Sequence, residues 1–307
     1  MTAALRIGHF ESPMRVRFKH ASASRSHTQN VVVLLRDESG LCGYGEGCPR
    51  AYVTGETQAS AKAFLAEHGP EALTALDSLG DLRRWVDEHE ALIDANPAAF
   101  CAFDIAALDL LGKRAGMTLE QLLDLPPLSM PIAYTAVMGD SSPVKAHAMS
   151  LAYRIWGFSD FKMKVSGDVG RDKARFRTLP RNARIRMDAN NLWQTAEECL
   201  RHFQQLDRDI WAIEEPVQAE DAASLRKIAD ALGVKIILDE SMTRRSQLAH
   251  YKADPENWIA NIRVSKCGGL LRSIKLAQEV QSAGMGITLG AQVGETSLLT
   301  RAALTLG

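Results

Sequence analysis

The 307-residue chain lacks the features that mark several classes of protein. Its charges nearly cancel, with 36 Lys and Arg against 37 Asp and Glu, so charge does not favour nucleic acid or an anionic membrane as a partner. No apolar run approaches the roughly 18 residues of a membrane helix, and the opening letters MTAALRIGHF lack the apolar core of a signal peptide. With 46% hydrophobic residues, the composition predicts an ordinary soluble globular protein.

Cysteine is scarce and follows no metal-binding pattern. The five cysteines are odd in number, and none forms a CxxC or a Cys/His zinc spacing: Cys42, Cys48, Cys101, Cys199 and Cys267. This scatter predicts the reduced, structural thiols of a cytoplasmic protein rather than a zinc site or a disulfide framework.

The first part of the chain has the pattern of an α+β domain. The letters NVVVLLRDESGLCGYGEG predict a β-hairpin, and three helical patterns follow: TQASAKAFLAEHG, LGDLRRWVDEHEALID and PAAFCAFDIAALDLLGKRAG. The last of these is expected to begin at Asn96-Pro97 and to end at Gly116. The Pro-rich letters DLPPLSM then predict a boundary between a domain of residues 1–128 and a second domain of residues 129–307.

The second part alternates seven short apolar runs with helical stretches. The runs are PIAYTAVM, DFKMKV, ARIRMDA, DIWAIEEP, VKIILDES, WIANIRVSK and GMGITLGAQ. Strict alternation predicts βα units and a parallel sheet, either a (β/α) barrel or a doubly wound sheet. No G-x-G-x-x-G follows the first of these strands, which disfavours the dinucleotide-binding version of the doubly wound sheet.

Charged residues recur at the ends of these strands at nearly constant intervals. Lys164, Asp188, Glu214, Asp239 and Lys266 follow one another after 24, 26, 25 and 27 residues. One βα unit of a barrel takes about that many residues, so the same structural position recurs in successive units. In a barrel, these side chains would converge on the mouth at the carboxyl ends of the strands.

Three converging carboxylates predict a metal site. A single Asp or Glu at a strand end is usually a helix cap or a solvated loop residue, but three in adjacent units need a compensating cation. Oxygen ligands from Asp188, Glu214 and Asp239, without His or Cys, favour Mg²⁺, with Mn²⁺ as a second choice.

The lysines are predicted to form an acid–base pair. Lys162 and Lys164 are two residues apart and would face the same side of their strand, with Met163 opposite. Lys266 would approach from the other side of the mouth. A lysine beside a metal ion and another lysine has its neutral form favoured, so it can act as a general base. Two such bases permit proton removal on one face of a carboxylate substrate and proton delivery on the other.

The motifs KMK, DAN, EEP, DES and SKCGGL, together with GYGEG, TGET and AFDIAALDLLGK, resemble those of the enolase superfamily. Within it, the sequence is similar to the muconate lactonizing enzyme subgroup over most of its length. The resemblance implies an α/β fold: a modified TIM barrel of the (β/α)₇β type under an N-terminal α+β capping domain.

The resemblance also assigns roles to residues. It implies Asp188, Glu214 and Asp239 as metal ligands, and Lys164 and Lys266 as the two acid–base groups. Lys162 would hold the substrate carboxylate and lower the pKa of Lys164. The positions that surround the ligands would be Asn190, Glu215 and Glu240.

The subgroup narrows the chemistry without choosing one reaction. The letters TLGAQVGETS contain no His, which disfavours the mandelate racemase subgroup, and the K-x-K pair disfavours enolase itself. We expect an Mg²⁺-dependent isomerase: a racemase or epimerase of N-acylamino acids or dipeptides, or a muconate-type cycloisomerase. The alternatives are a lyase or dehydratase that performs β-elimination, as in o-succinylbenzoate synthesis, and an inactive ligand-binding homologue.

The substrate contacts are predicted from loops. Arg25, Arg50 and Tyr52 lie in FKHASASRSHTQN and GCPRAYVTGET, two loops expected near the substrate tail, and Gln292 and Glu295 follow the seventh strand. The expected partner is a small-molecule carboxylate, and the resemblance implies a homo-oligomer. Only 17 residues follow Gly290, too few for a helix and an eighth strand, so we expect the barrel to be incomplete at its C-terminal end.

Overall fold

The computed structural model describes residues 4–20, 23–129, 131–206 and 208–307. Five strands open the chain: β1 (Ala4–Phe10), β2 (Pro13–His20), β3 (Ala23–His27), β4 (Asn30–Arg36) and β5 (Cys42–Gly47). An antiparallel sheet has the order β1-β4-β5, and β2 and β3 form a separate antiparallel pair. The segment FKHASASRSHTQN, predicted as a loop, therefore lies largely within the β2–β3 hairpin, and its residues 21 and 22 lie outside the described residues.

Five helices complete this N-terminal cap: α1 (Gln58–Thr74), α2 (Leu79–Glu88), α3 (Glu90–Ala95), α4 (Pro97–Ala115) and α5 (Leu119–Leu123). Helix α4 begins and ends where its Asn-Pro and Gly signals predict, with Gly116 in the left-handed conformation. The single helix expected over LGDLRRWVDEHEALID is wrong. His89 separates α2 from α3, and its ring nitrogen Nδ1 lies 2.9 Å from the carbonyl oxygen of Trp85.

Three alternate glycines of β5 allow α4 to pack directly on the strand backbone. A Cβ at Gly45 would lie 2.0 Å from the carbonyl oxygen of Ala102, and a Cβ at Gly47 would lie 1.9 Å from that of Ala98. Neither separation is possible for real atoms, so only glycine fits here. The GYGEG motif thus brings a buried helix against one face of β5, while Glu46 points to the opposite face.

Seven parallel strands follow in sequence order: β6 (Ala136–Met138), β7 (Asp160–Lys164), β8 (Arg184–Asp188), β9 (Ala212–Glu214), β10 (Lys235–Leu238), β11 (Trp258–Ile262) and β12 (Gly286–Leu289). The helices between and after them are α6 (Pro143–Ile155), α7 (Val169–Phe176), α8 (Ala196–Phe203), α9 (Ala222–Leu232), α10 (Leu270–Ser282) and α11 (Ser297–Leu304). All seven predicted strands are confirmed. Their sheet curls into a partial barrel, and within the described residues no further strand joins β12 to β6.

Two large apolar cores stabilise the described part of the chain. One lies between the curled sheet and its helices and contains Met163, on the strand face that alternation predicts. The other fills the cap and extends to Leu270 of α10 and Leu299 of α11, so the cap and the barrel share apolar packing. No helix in the described ranges has both the length and the apolarity that crossing a membrane requires.

Two buried carboxylates of the cap also hold barrel helices. Asp104 of α4 accepts a hydrogen bond of 2.6 Å from the backbone N–H of Leu270, at the start of α10. Glu46 of β5 accepts hydrogen bonds from the backbone N–H and the hydroxyl of Thr296, which precedes α11. Both helix ends are therefore capped by residues far away in the sequence.

Candidate active site

The three predicted metal ligands lie side by side at the carboxyl ends of neighbouring strands. Asp188 ends β8, Glu214 ends β9, and Asp239 directly follows β10. Asp188 and Glu214 are register partners in the parallel pairing of β8 with β9. All three side chains are at most 2% exposed, so their charges depend on cations of the protein or of a ligand for compensation.

Lys162 and Lys164 lie on one face of β7, as the two-residue spacing predicts. The Lys162 ammonium is 2.7 Å from Glu214 Oε2 and 3.1 Å from Asp188 Oδ2. The Lys164 ammonium is 3.0 Å from Asp188 Oδ2 and donates a hydrogen bond of 2.5 Å to Asn190 Oδ1. Lys164 therefore lies at the Asp188 end of the carboxylate row, and Lys162 lies between Asp188 and Glu214.

Lys266 lies at the opposite end of the row. Its ammonium contacts Asp239 Oδ1 at 2.9 Å and donates to the backbone carbonyls of Asp239 and Asn261 at 2.6 and 2.7 Å. The side chain is fully buried, and three oxygens fix its nitrogen. Lys266 also lines a cavity of about 170 Å³, together with Val53 and Thr54 of the cap.

The structure adds Asn261 and Arg263, which sequence reasoning missed. Asn261 Nδ2 donates to Glu214 Oε1 at 3.3 Å. The Arg263 guanidinium forms an ion pair with Asp239 and lies 3.6 Å from Glu214 Oε1. The alternation that placed Lys162 and Lys164 on one face applies equally to NIRVSK, so it offered a signal for both residues.

Burial and the neighbouring cations shift the pKa values of the carboxylates in opposite directions. Burial alone raises the pKa of Asp188, but Lys162 and Lys164 outweigh it and hold that pKa well below its usual value. Burial also opposes ionisation of Asp239, and Arg263 and Lys266 lower its pKa. Both groups are therefore carboxylates at neutral pH, as ligands of a hard divalent ion need to be.

The three residues predicted to surround the metal ligands, Asn190, Glu215 and Glu240, make different contacts. Asn190 accepts the hydrogen bond from Lys164. Glu215 accepts from the backbone N–H groups of Asp239 and Ser241 at 2.6 and 2.7 Å, so it shapes the turn that follows β10. Burial, followed by the charge of Asp239, raises the pKa of Glu240 to about 7.

The predicted substrate-binding residues do not form one group. Gln292 is buried, its Oε1 accepts a 3.4 Å hydrogen bond from Arg263, and its Nε2 has no hydrogen-bond partner in the described part of the chain. Glu295 accepts from the Gln292 N–H and the Thr300 hydroxyl at 2.8 and 2.9 Å. Burial raises the pKa of Glu295 to about 6. Both Glu295 oxygens therefore serve the local loop.

Arg25 and Tyr52 lie together at the edge of the cap. The Arg25 Cζ is 6.0 Å from the centre of the Tyr52 ring, and both side chains line a pocket of about 400 Å³. Arg25 Nη1 is buried and has no hydrogen-bond partner among the described residues. Arg50, expected to reach a substrate, is fully buried instead. Its guanidinium donates to the Val293 and Gln29 carbonyls, so it joins the cap to the loop after β12.

A buried network supports the strand end that carries Lys164. The Arg175 guanidinium donates to the Lys164 carbonyl at 2.8 Å and to the Gly139 carbonyl at 2.9 Å, which ties the end of β7 to the end of β6. Asp172 pairs with Arg175 at 2.9 Å and accepts from Ser166, the second residue after β7.

The donor chemistry of the carboxylate row suits Mg²⁺ or Mn²⁺, but cations fill the space between the donors. No group of three or more Asp, Glu, His or Cys side chains in the described ranges is arranged to hold a metal ion as it is placed. Lys162 lies between Asp188 and Glu214, and Arg263 contacts both Glu214 and Asp239. The row therefore offers hard, ionised oxygen ligands, and its amino and guanidinium groups compete for them.

A row of buried carboxylates flanked by lysines, on a curled parallel sheet beneath an α+β cap, defines an enolase-like capped barrel. Residues 4–124 match the model for the mandelate racemase / muconate lactonizing enzyme N-terminal domain, and residues 145–307 match the enolase C-terminal domain-like model. The chain therefore belongs to the mandelate racemase/muconate lactonizing enzyme family of the enolase superfamily, which confirms the resemblance.

Its relatives include racemases and epimerases. A hydrophobic dipeptide epimerase of Enterococcus faecalis is 28% identical, over 95% of this chain and 83% of the relative. An N-succinyl-L-Arg/Lys racemase of Bacillus cereus is 27% identical, over 94% and 79%. The crystal structure of the E. faecalis enzyme with Mg and the dipeptide L-Leu-L-Tyr has a TM-score of 0.85 at 26% identity, and covers 98% of this chain and 85% of that one.

Proposed function

We propose that this chain is an Mg²⁺-dependent racemase or epimerase that removes the proton α to a carboxylate. One observation carries the proposal: Lys164 and Lys266 contact opposite ends of a single carboxylate row, Lys164 at Asp188 and Lys266 at Asp239. Two acid–base groups on opposite sides of a bound carbon are what inversion of its configuration requires. The racemase and epimerase relatives support the same reaction.

The two lysines exchange roles according to which epimer is bound. The unprotonated lysine takes the α-proton, and the electron pair of the broken C–H bond moves into the substrate carboxylate, giving an enediolate. The protonated lysine on the other face then donates its proton to the same carbon. The carbonyls of Asp239 and Asn261 orient the Lys266 nitrogen for this step, and Asn190 orients that of Lys164.

Asp188, Glu214 and Asp239 would hold Mg²⁺, and the ion would neutralise the charge that develops on the substrate carboxylate. Lys162 adds positive charge between Asp188 and Glu214, where it can also hold that carboxylate.

The substrate class follows the relatives, which act on dipeptides and on an N-succinyl amino acid. We assign the contacts to the remote part of such a substrate to Arg25 and Tyr52, since their pocket contains a buried guanidinium nitrogen with no described partner. Gln292 offers a buried amide nitrogen beside Arg263. In keeping with the family, we also propose that the enzyme is a homo-oligomer.

The test uses dipeptides and N-succinyl amino acids in D₂O with Mg²⁺, comparing the wild type with Lys164→Met and Lys266→Met. Each substitution should lower epimerisation by about 10²-fold to 10⁴-fold. Each variant should still exchange the α-proton of the one epimer whose proton faces the surviving lysine. Lys235→Met serves as the control, because Lys235 is exposed at the far end of β10.

Exchange of both epimers in both variants would refute the two-lysine assignment. Activity that persists in EDTA would contradict the metal requirement. A product with a new carbon–carbon double bond would identify a lyase.

A further inference from the structure

Arg263 is a cationic side chain at the carboxyl ends of the strands, next to two of the three proposed metal ligands. It directly follows β11 and lies two residues beyond Asn261, so both side chains point to the same side of the sheet. The guanidinium forms its closest ion pair with Asp239 and lies 3.6 Å from Glu214 Oε1. Its Nη1 donates to Gln292 Oε1 at 3.4 Å, and the side chain is 14% exposed.

These contacts engage the oxygens that a divalent ion would use. Asp239 pairs with Lys266 through Oδ1 and with Arg263 through Oδ2, so each of its two oxygens already has a cationic partner. A divalent ion coordinated by Asp239 and Glu214 would therefore exchange with the guanidinium.

Arg263 also differs chemically from the three lysines around it. Among the described residues, four cationic side chains form ion pairs with the three carboxylates: Lys162, Lys164, Lys266 and Arg263. A lysine can relieve repulsion from an incoming ion by losing a proton, but a guanidinium stays charged in proteins. Arg263 is thus the permanent positive charge at two of the three proposed ligands.

We propose that Arg263 is a resident counter-cation that competes with the divalent ion for Asp239 and Glu214. It weakens metal binding, and it stabilises the buried carboxylates whenever no ion is bound. When the ion binds, the guanidinium leaves the carboxylates. This inference rests on the proposed function, because it takes Asp239 and Glu214 as metal ligands.

The experiment measures Mn²⁺ affinity by titration followed by electron paramagnetic resonance, and thermal unfolding with EDTA or Mg²⁺. The variants are Arg263→Met, Arg263→Lys and Arg186→Met. Arg186 is an arginine of β8 whose Nη1 contacts the Thr288 hydroxyl at 3.4 Å, and it forms no ion pair with the three carboxylates within the described residues, which makes it a matched control.

Arg263→Met should lower the Mn²⁺ dissociation constant by about tenfold or more, because it removes both a competitor and a repelling charge. In EDTA, the same variant should unfold at a lower temperature than wild type. Added Mg²⁺ should raise its unfolding temperature by more than it raises that of wild type. Arg263→Lys should bind Mn²⁺ with an affinity between those of wild type and Arg263→Met, since its ammonium keeps a cation that can lose its proton. Arg186→Met should change the affinity less than Arg263→Met does.

Unchanged or weaker Mn²⁺ binding by Arg263→Met, with normal binding by wild type, would overturn the inference and leave the proposed function intact. Binding by Arg263→Met alone would support the inference in its strongest form. Failure of every variant and of wild type to bind Mn²⁺ would overturn both proposals.

Discussion

The Asp104 carboxyl provides a sharp test of how the cap and the barrel are joined. This side chain belongs to α4 of the cap and is fully buried. Its Oδ2 accepts the Leu270 N–H, and its Oδ1 has no hydrogen-bond partner in the described part of the chain. Burial raises the pKa of Asp104 to about 7 in the folded protein, against 3.8 for an ordinary Asp.

The sign and size of the effect follow from proton linkage. Between pH 3.8 and 7 the folded protein binds this proton more tightly than the unfolded chain does, so folding stability falls as pH rises through that window. Integrated from pH 5 to pH 8, one such group removes about 2 to 3 kcal/mol of stability, at about 1.4 kcal/mol for each pKa unit. Asp104→Asn cannot ionise and escapes this loss.

The assay is thermal unfolding of wild type and Asp104→Asn at several pH values from 5 to 8. The variant should be less stable at pH 5, because its amide N–H₂ is buried where a neutral carboxyl fits. Its stability relative to wild type should then rise by about 2 to 3 kcal/mol by pH 8, or roughly 3 to 5 °C in Tm for a chain of this length. Comparing the variant with wild type at each pH cancels the other titrating groups.

Asp109→Asn is the control on the same helix, since that side chain is 31% exposed and bonds to Lys113. It should follow the wild-type pH profile. If the stability of Asp104→Asn also changes with pH in parallel with that of wild type, then Asp104 is ionised across the range and burial does not keep it protonated.

Two further predictions concern the placement of the lysines. Gly290→Ala should abolish most activity while the protein still folds. Its Cβ would lie 2.2 Å from Asn261 Oδ1 and would displace the residue whose carbonyl holds Lys266. Circular dichroism together with epimerase kinetics tests this, and full activity would contradict it. Arg175→Met should lower kcat by about tenfold to a hundredfold and shift the pH profile of kcat, with little change in KM, because the guanidinium positions the Lys164 carbonyl. An effect on thermal stability alone would show that Arg175 is only structural.

Local patterns predicted the barrel well. Each strand of the curled sheet carries its own apolar run, and the helices between them fix the interval at which strand ends recur. That interval was enough to place Lys164, Asp188 and Glu214 beside one another, and the register of β7, β8 and β9 has all three as partners. Helix α4 was equally predictable because its start and stop signals lie within a few residues of its ends.

Three local features were not predicted, because they depend on hydrogen-bond partners that the hydrophobic periodicity of the sequence does not reveal. The expected role of Arg50 was wrong, because its side chain is buried and donates to the distant Val293 carbonyl. The segment before β4 was predicted as a loop, but most of it pairs as the β2–β3 hairpin. The break at His89 was missed because a histidine side chain, rather than Gly or Pro, engages the carbonyl at the end of α2.

The order of the βα units, the residues at the strand ends and the family could all be predicted from the sequence, because they depend on short-range spacing. Which charges face one another depends instead on how the chain folds. Asp104 reaches the N-terminus of α10 across 166 residues, and Glu46 reaches Thr296 across 250. Arg263 joins Asp239 and Glu214 only because three neighbouring strands curl toward a common mouth. Buried charges need partners at contact distance, and the folded path of the chain supplies them.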